Sequence, residues 1–533
     1  MALPAERKSR FGKRKWWALA ALTLAVLAVG LDQTVLSVAL PTLSKSLEAS
    51  ESDLQWFTSG YMLVPAAAML PVGVLGDRFG RKKVMLTALA VFGLGSAACA
   101  YSTSAGEFIA ARLLLGLAGA GVVVMALSAM TVLFTEEERP KAVGIWAAAN
   151  FLALPIGPIL GGWLLTHYWW GWVFLLNVPV AVIGLFAATL LLPESRAAQH
   201  PGLDPAGIVL SAGGLATVTY GMIRAGEYGW GSAIAWICIL LGLAALAGFF
   251  AWEHRLGSRP GGRPLVDMAL FRSDSFTWGT LLAFVVLLAM TGMLFTLPQY
   301  FQGVIGTDAM GSGVRLLPLI AGLIVGAVPA DRIARLIGAK TTVMAGFAVL
   351  AAGLATGAAT SVDSSTAFVA IWTAVCGAGI GLATATAASA ALTELSAERS
   401  GTGSAVLQAL QKTGGPFGAA IMGSILAAGY HARLSLTGLP PSVTAPVRQS
   451  VFGGVAVANK LRSPTLLGSV HASFTHGMDL ALITSAGIAA AGIVLALLFL
   501  PGATAVGHDR SARTHVRRLR ALAMPRFATG SHR

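Results

Sequence analysis

Asp32 differs from the other acidic residues of this chain because it lies deep within an apolar run, Ala18–Leu40. The other Asp and Glu residues can be placed in loops, tails or the ends of apolar runs. A carboxylate near the centre of a membrane helix costs about 2.5–3.5 kcal/mol on insertion scales, so it is expected to have a function. Burial favours the protonated carboxyl, and a water-filled cavity can supply the proton. We therefore predict that Asp32 takes up and releases protons, the alternative being a structural acid bonded to a neighbouring helix.

Arg112 is a second charge within an apolar run, Phe108–Leu133. It lies near the start of that run, so its long side chain can either reach the membrane surface or face a cavity. Facing a cavity, it would favour the ionised form of Asp32 when the two approach and the protonated form when they part. Lys412 is a third candidate of this kind.

Aromatic and amide side chains within or beside other apolar runs suit amphipathic, often cationic ligands through stacking and hydrogen bonds. For Trp56 and Tyr61 the alternative is anchoring at the membrane interface. The predicted cavity residues are Trp56, Tyr61, Asn150, Gln299, Tyr300, Gln302, Gln408 and Lys412.

The sequence carries no phosphate-binding loop of the G-x-x-x-x-G-K-[ST] type, and no stretch is long and polar enough for a soluble nucleotide-binding domain. The nine histidines fall in loops, tails or span ends, and the three cysteines fit no metal-ligand spacing. We predict a protein without cofactor, metal or enzymatic activity. If it pumps, its energy source is an ion gradient, with protons as the coupling partner.

Composition predicts a multi-pass membrane protein in the lipid bilayer. Hydrophobic residues make up 56% of the chain, charged residues 11%, and the mean hydropathy is +0.74. Soluble proteins average about 25% charged residues. The net charge of +14 comes from basic residues beside apolar runs, which is typical of cytoplasmic membrane flanks and not of a nucleic-acid partner.

Apolar runs of about 20 residues predict fourteen membrane helices. The estimated spans are Ala18–Leu40, Gln55–Leu75, Val84–Ala100, Phe108–Leu133, Ala142–Leu164, Val173–Leu192, Ala206–Ile223, Ala233–Trp252, Thr277–Phe301, Leu316–Ala334, Thr341–Ala359, Ala367–Leu392, Thr402–Leu426 and Leu480–Leu500. An even count places both basic termini on one side, predicted to be the cytoplasmic side of the cell membrane.

An internal repeat supports two halves. The first copy lies at Asp77–Arg81 and the second at Asp331–Arg335, an offset of 331 − 77 = 254 residues. Six helices per half would give roughly 200 residues, so the excess suits an additional helix pair between the halves. The predicted parts are a basic N-terminus (1–16), a six-helix bundle (17–193), an inserted pair (205–253), a second six-helix bundle (276–500) with a long external loop (430–476), and a basic tail (501–533).

The charged turn after the second run combines acid, bases and glycines, so we predict that Asp77 is a latch that pairs in only one conformation. The predicted gating residues are Gly73, Asp77, Arg78, Gly80, Arg81 and Lys82 in the first copy, and Asp331, Arg332 and Arg335 in the second.

The fifth run carries two prolines, Pro155 and Pro158, which bend a helix. Gly157 and Gly161 form a G-x-x-x-G face for close helix contact, followed by Gly162. We predict a bent, tightly packed helix that prevents ion leakage, the alternative being an ordinary packing kink.

These motifs resemble the major facilitator superfamily, specifically its fourteen-helix drug–proton antiporters. The stretch 73–82 is similar to the loop signature G-x-L-x-D-R-x-G-R-K, and 157–162 to the helix-five signature G-P-x-x-G-G. Residues 32–41 and 174–179 are also similar to that group. The resemblance implies two six-helix bundles plus two additional helices, alternating access, and export of drugs or antibiotics against proton entry. It implies Asp32 as the protonation site, Arg112 as its relay and Asp77 as the gate latch.

The leading hypothesis is therefore a monomeric proton-coupled drug exporter. The alternative on the same fold is a proton-coupled symporter, or an exporter of an endogenous metabolite. A receptor or membrane enzyme lacks support, because the sequence shows no nucleophile constellation or cofactor loop.

Overall fold

The computed structural model describes residues 14–134, 138, 142, 153, 156–195, 204–259, 262, 264–393, 397–436 and 441–501. These residues form α-helices joined by short turns and contain no β-strand. In chain order the helices are α1 (Arg14–Ser46), α2 (Glu51–Phe79), α3 (Arg81–Ala100), α4 (Ala105–Leu133), α5 (156–167), α6 (Trp172–Leu175), α7 (Asn177–Leu191), α8 (Pro205–Tyr228), α9 (Ala233–Gly257), α10 (Asp274–Gln299), α11 (Ala309–Arg315), α12 (Leu317–Ala327), α13 (Ala330–Ile337), α14 (Ala339–Gly357), α15 (Thr366–Thr393), α16 (Ala397–Arg433), α17 (Pro441–Gln449), α18 (Val451–Lys460) and α19 (Pro464–Phe499). A 3₁₀ turn (Met268–Arg272) precedes α10, and a π-helical turn (Tyr300–Val304) continues it.

Eleven helices of the described part are long and apolar enough to cross a membrane, and the number rises to twelve if the bent helix α2 counts as one span. The predicted all-α membrane architecture is confirmed. Most of the predicted fifth run, Ala142–Leu164, lies outside the described residues before position 156. A total of about fourteen spans in the whole chain is therefore consistent with the structure.

Local sequence signals set the helix ends. A capping box starts α2, in which the Asp53 amide donates to Ser50 Oγ and the Ser50 amide donates to Asp53 Oδ2. Gly80 separates α2 from α3 with φ of 114°, a value that L side chains rarely adopt. Gly338 has φ of 87° and separates α13 from α14 in the same way.

Helices pack on one another both within each half of the chain and between the halves. Helix α1 packs on α4 and α7, and α2 packs on α4. In the later part, α10 packs on α16, and α15 packs between α12 and α14. Helices α8 and α9 pack on each other, and α8 also contacts both α2 and α16.

Two helix boundaries differ from the predictions. The last helix starts at Pro464, well before the predicted Leu480, and α17 and α18 occupy much of the predicted loop 430–476. The stretch before Leu480 contains His471, His476 and Asp479, so it ended the apolar run but not the helix. The predicted tenth run is broken, because α12 ends before Pro329 and α13 begins after it.

Candidate functional site

Asp32 and Arg112 form an ion pair inside the helix bundle. Arg112 Nη1 lies 2.6 Å from Asp32 Oδ2, and both side chains are 0% exposed. Asp32 comes from α1 and Arg112 from α4, two helices that pack against each other. Because Arg112 is fully enclosed, it does not extend to the membrane surface. The two charges that the sequence singled out therefore neutralise each other in this conformation.

Neighbouring helices hold the pair with hydrogen bonds. Asn177 Nδ2, at the start of α7, lies 3.0 Å from Asp32 Oδ1 and 3.1 Å from Ser96 Oγ. Arg112 Nε donates to the Phe57 carbonyl oxygen at 3.4 Å. The Nη2 atom of Arg112 has no hydrogen-bond partner within the described part of the chain. The pair thus joins five helices, α1 to α4 and α7, and leaves one guanidinium nitrogen available to another acceptor.

Tyr61 lies between the ion pair and a central cavity. Its ring centroid lies 3.9 Å from the guanidinium carbon of Arg112, a cation–π contact. Its hydroxyl donates to the Val29 carbonyl oxygen on α1 at 3.3 Å, and its side chain also lines the cavity. One aromatic ring therefore stands between the cavity and the buried charges.

The cavity measures about 270 Å³ and lies between α1, α2 and α4 on one side and α10 and α16 on the other. Its wall is mainly apolar, with leucine, methionine and Phe295 side chains. Its polar groups include hydroxyls, three glutamines and Lys412. A site of this kind, apolar with a few polar groups, is typical of small-molecule binding.

Of the predicted cavity residues, Tyr61, Gln408 and Lys412 line this cavity. Asn150 lies outside the described residues. The other four face elsewhere. Trp56 packs against Tyr220 of α8, with ring centroids 6.5 Å apart.

The remaining three, Gln299, Tyr300 and Gln302, lie beyond the cavity where α10 passes into its π-helical turn. The Tyr300 hydroxyl donates to the Ser361 carbonyl oxygen at 2.9 Å, so it is used in packing. Both glutamines bind groups of the N-terminal helices, because Gln299 Nε2 donates to Glu51 Oε1 at 3.2 Å and Gln302 Nε2 donates to the Val38 carbonyl oxygen at 3.1 Å.

These contacts join the two halves of the chain at one end of the bundle, which we call the Glu51 end. Ser59 adds a third hydrogen bond between the halves, because its Oγ donates to the Pro416 carbonyl oxygen at 3.2 Å. The opposite end of the bundle, where α2 ends and α3 begins, is called the Asp77 end.

The glycine face of α5 packs directly on α1 beside the ion pair. A Cβ atom at Gly157 would overlap Thr34 Oγ1, and one at Gly161 would lie 2.5 Å from Val35 Cγ1. On the other side of α5, Gly162 lies close to the backbone of α11. A Cβ atom added at Gly162 would lie 2.7 Å from the Ala309 carbonyl oxygen. Helix α5 therefore touches both halves of the chain.

Within the same motif, Pro158 is part of α5 and its carbonyl lies against Gly313 of α11. Pro155 lies outside the described residues. The predicted bend at both prolines stays a prediction.

The first copy of the repeat is held in a network of short contacts. Arg81 Nη2 lies 2.9 Å from Asp77 Oδ1, and Lys82 Nζ donates to the Thr189 carbonyl oxygen at 2.7 Å. A Cβ atom added at Gly80 would lie 2.5 Å from Glu194 Oε1. Both the positive φ angle and this lack of space therefore require glycine at position 80.

The remaining residues of that copy have different surroundings. Gly73 and Gly76 face α4, where an added Cβ would lie 3.7 Å from Val124 and 2.5 Å from Met125. Arg78 is exposed and its guanidinium lies 5.5 Å from the Phe79 ring centroid.

The second copy is exposed. Asp331, Arg332 and Arg335 lie on α13 and form no ion pair with other described residues. The turn comes at Gly338, seven residues after Asp331, whereas Gly80 follows Asp77 by three. The two copies therefore share sequence but not local structure.

The sequence matches the Major Facilitator Superfamily over residues 22–419. The chain belongs to this superfamily. Its relatives include the tetracenomycin C resistance and export protein of Streptomyces glaucescens, 32% identical over 496 residues and covering 91% of each chain. The multidrug efflux pump LfrA of Mycolicibacterium smegmatis is 31% identical over 509 residues, with 94% of this chain and 97% of that protein covered.

A solved structure supports the same fold. The crystal structure of a bacterial homolog to the human lysosomal transporter Spinster, inward-facing and unoccupied, aligns with a TM-score of 0.65 at 16% identity. The alignment covers 92% of this chain and 98% of that one. The suspected group is confirmed: a Major Facilitator Superfamily membrane protein whose relatives are drug and antibiotic exporters, which points to transport and not to catalysis.

The sequence did not single out several residues of the site. Asn177 was noted only as part of a family-like motif, although an amide within an apolar stretch is itself costly. Thr58 and Thr291 line the cavity, but hydroxyls on membrane helices commonly bond their own backbone and give little signal.

Proposed function

We propose that this protein exports small amphipathic drugs or antibiotics across the cell membrane in exchange for protons, by alternating access. Both termini lie in the cytoplasm and the chain works as a monomer. Drug export is supported by the names of the relatives, which include a resistance and export protein and a multidrug efflux pump. Proton coupling rests mainly on one observation: the enclosed Asp32–Arg112 pair, separated from the cavity by Tyr61.

Proton binding acts first on the ion pair. While Asp32 is ionised, its attraction to Arg112 ties α1 to α4. A proton on Asp32 removes that attraction and leaves the guanidinium with the Tyr61 ring and one backbone carbonyl. A buried charge that loses its partner costs about 3–5 kcal/mol. The protonated state is therefore relieved when the helices move and another acceptor or water reaches Arg112.

Helix α5 carries that movement to the other half. Its glycine face fits α1 beside Asp32, and Gly162 fits α11 on the far side. Since Gly157 and Gly161 leave no free space against Thr34 and Val35, a shift of α1 must shift α5 as well.

Access to the cavity alternates between its two ends. In this conformation Gln299 and Gln302 tie the halves at the Glu51 end, and Ser59 ties them beside the cavity. We place the entrance of the cavity at the Asp77 end in this conformation, which is the cytoplasmic end if the basic termini are inside. Export requires these bonds to break and the Asp77 end to close.

The test is transport by purified protein in liposomes with a pH-sensitive dye in the lumen. A panel of neutral, cationic and anionic aromatic dyes is offered with and without a proton gradient. We expect at least one dye to move against its own gradient, with counterflow of protons, and to stop when an uncoupler is added. Dye movement that ignores the uncoupler, or a panel in which no dye moves, would contradict the proposal.

A further inference from the structure

The central cavity carries an unbalanced positive charge. Lys412 is the one charged side chain among the described residues that line it, and no carboxylate lines it. The undescribed stretch 143–152 contains no Asp, Glu, Lys or Arg by sequence, so it adds no counter-charge. Asp32 is the nearest acid of α1 to the wall, and it is already paired with Arg112.

The Lys412 ammonium group has no acidic partner among the described residues. Charges away from bulk water are stable only when paired and hydrogen-bonded. No described residue provides a partner, so the charge of Lys412 is balanced when a ligand brings a negative charge.

Hydroxyl groups in the same cavity are also unused. The Oγ1 atoms of Thr58 and Thr291 are buried and have no hydrogen-bond partner within the described residues. Thr291 is 1% exposed, and both side chains line the cavity, Thr58 from α2 and Thr291 from α10. A hydroxyl can donate to an anionic oxygen, and an ammonium provides three donors. The cavity wall therefore holds donors suited to a carboxylate, phenolate or sulfonate.

The remaining wall suits the body of an amphipathic molecule. Met62, Met69 and Met290 contribute adaptable apolar surface, and Phe295 contributes an aromatic ring. Apolar area provides affinity without selecting a charge, so the sign of the ligand's charge is set by Lys412.

We propose that the cavity selects amphipathic compounds bearing an anionic oxygen group, and that Lys412 binds that group. This inference rests on the proposed export function and differs from the sequence-based expectation of often cationic ligands. It has an electrical consequence. Exporting an anion and admitting a proton both move positive charge inward, so an inside-negative potential drives both.

Binding is tested with two probes that share one ring system, 1-pyrenebutyrate and 1-pyrenebutylammonium, on purified protein in lipid nanodiscs. Hydrogen bonds to charged groups contribute enough free energy for about a tenfold preference or more. We expect the wild type to prefer the anion, Lys412→Gln to lose the preference, and Lys412→Glu to reverse it. Lys412→Arg keeps the charge and should keep the preference.

Lys460→Gln is the matched control, because it removes one exposed lysine outside the cavity and leaves the preference unchanged. A wild type that prefers the cation, or a preference that survives Lys412→Gln, would overturn the inference. Size-exclusion profiles show whether each variant is folded, and Lys412→Arg reports on the charge if another variant is not. Failure here is distinct from failure of the export proposal: proton-coupled efflux of cationic dyes alone would refute the anion site and retain the exporter.

Discussion

Two sites of charge within the helix bundle differ in whether the protein itself neutralises them. The carboxylate and guanidinium of Asp32 and Arg112 are fully enclosed and satisfy each other at 2.6 Å. Lys412 faces the cavity and has no acidic partner among the described residues. A single aromatic ring, that of Tyr61, lies at the border between the two regions.

The difference indicates a division of tasks. A charge pair that is balanced within the protein can respond to a proton without help from a ligand. A charge that the protein leaves unbalanced responds to a ligand instead. Changes at the pair should therefore affect energy coupling and stability, whereas changes at Lys412 should affect which compounds bind.

The strongest test of this division is loss of the protonatable group. Asp32→Asn removes the carboxylic acid and should reduce proton-coupled dye export to the background of empty liposomes. Lys412→Gln should keep proton coupling for any neutral dye that the wild type exports. Proton influx and dye efflux are recorded together. Asp331→Asn removes an exposed acid and serves as the control, and full coupled transport by Asp32→Asn would be incompatible with the role assigned to Asp32.

Stability should separate the same two regions. Asp32→Asn leaves Arg112 buried without a charged partner, which costs about 3–5 kcal/mol of unfolding free energy. The double change Asp32→Asn with Arg112→Gln should recover most of that loss, because no buried charge remains. Lys412→Gln removes an unpaired charge and should not destabilise the protein. Thermal unfolding in detergent measures all three, and equal stability of the single and double variants at the pair would speak against a tightly coupled ion pair.

Helix packing behind the pair should show an intermediate effect. Gly161→Ala places a methyl group 2.5 Å from Val35 Cγ1, and overpacking of this kind costs about 1–3 kcal/mol. We expect slower export and lower thermal stability. Gly213→Ala makes the same change on α8, where an added Cβ meets nothing within 4 Å. If both variants export at the same rate, close packing of α5 on α1 is not needed for transport.

The smallest expected effect lies at the charged turn. Asp77→Asn breaks a partly exposed pair with Arg81, and surface pairs are worth about 0.2–1 kcal/mol. We expect export to slow by up to about fivefold while dye binding is retained, which separates cycling from recognition. Asp331→Asn, in the second copy, should leave both unchanged. Loss of dye binding in Asp77→Asn would refute the latch.

The sequence predicted those site residues whose charge makes them energetically unfavourable in a membrane helix. Asp32 and Arg112 stand out because a charge in an apolar run needs a reason, and the family-like motifs gave the helical architecture. Their contact could be anticipated as a functional possibility, but its geometry and the part taken by Asn177 and Tyr61 depend on how the helices rotate about their axes.

The cavity wall was less predictable for the same reason. Gln299 and Gln302 are polar groups in an apolar region, yet Gln299 at the end of α10 and Gln302 in the π-helical turn bind groups of the other half of the chain. The second copy of the repeat matches the first in three of five letters, but Ala334 occupies the place of Gly80, and its helix continues to Gly338. Sequence similarity could not show that an ion pair and hydrogen bonds hold the first copy, whereas the charged residues of the second copy are exposed.

Helix α8 touches α2 on one side and α16 on the other, which gives the additional helix pair a mechanical consequence. Gly226 lies so close to Ser424 of α16 that an added Cβ would overlap its backbone, and Tyr220 rests near Trp56 of α2. When α2 and α16 separate at either end, α8 must tilt with one and slide past the other. Under the proposed alternating access, α8 therefore limits how far α2 and α16 can move apart.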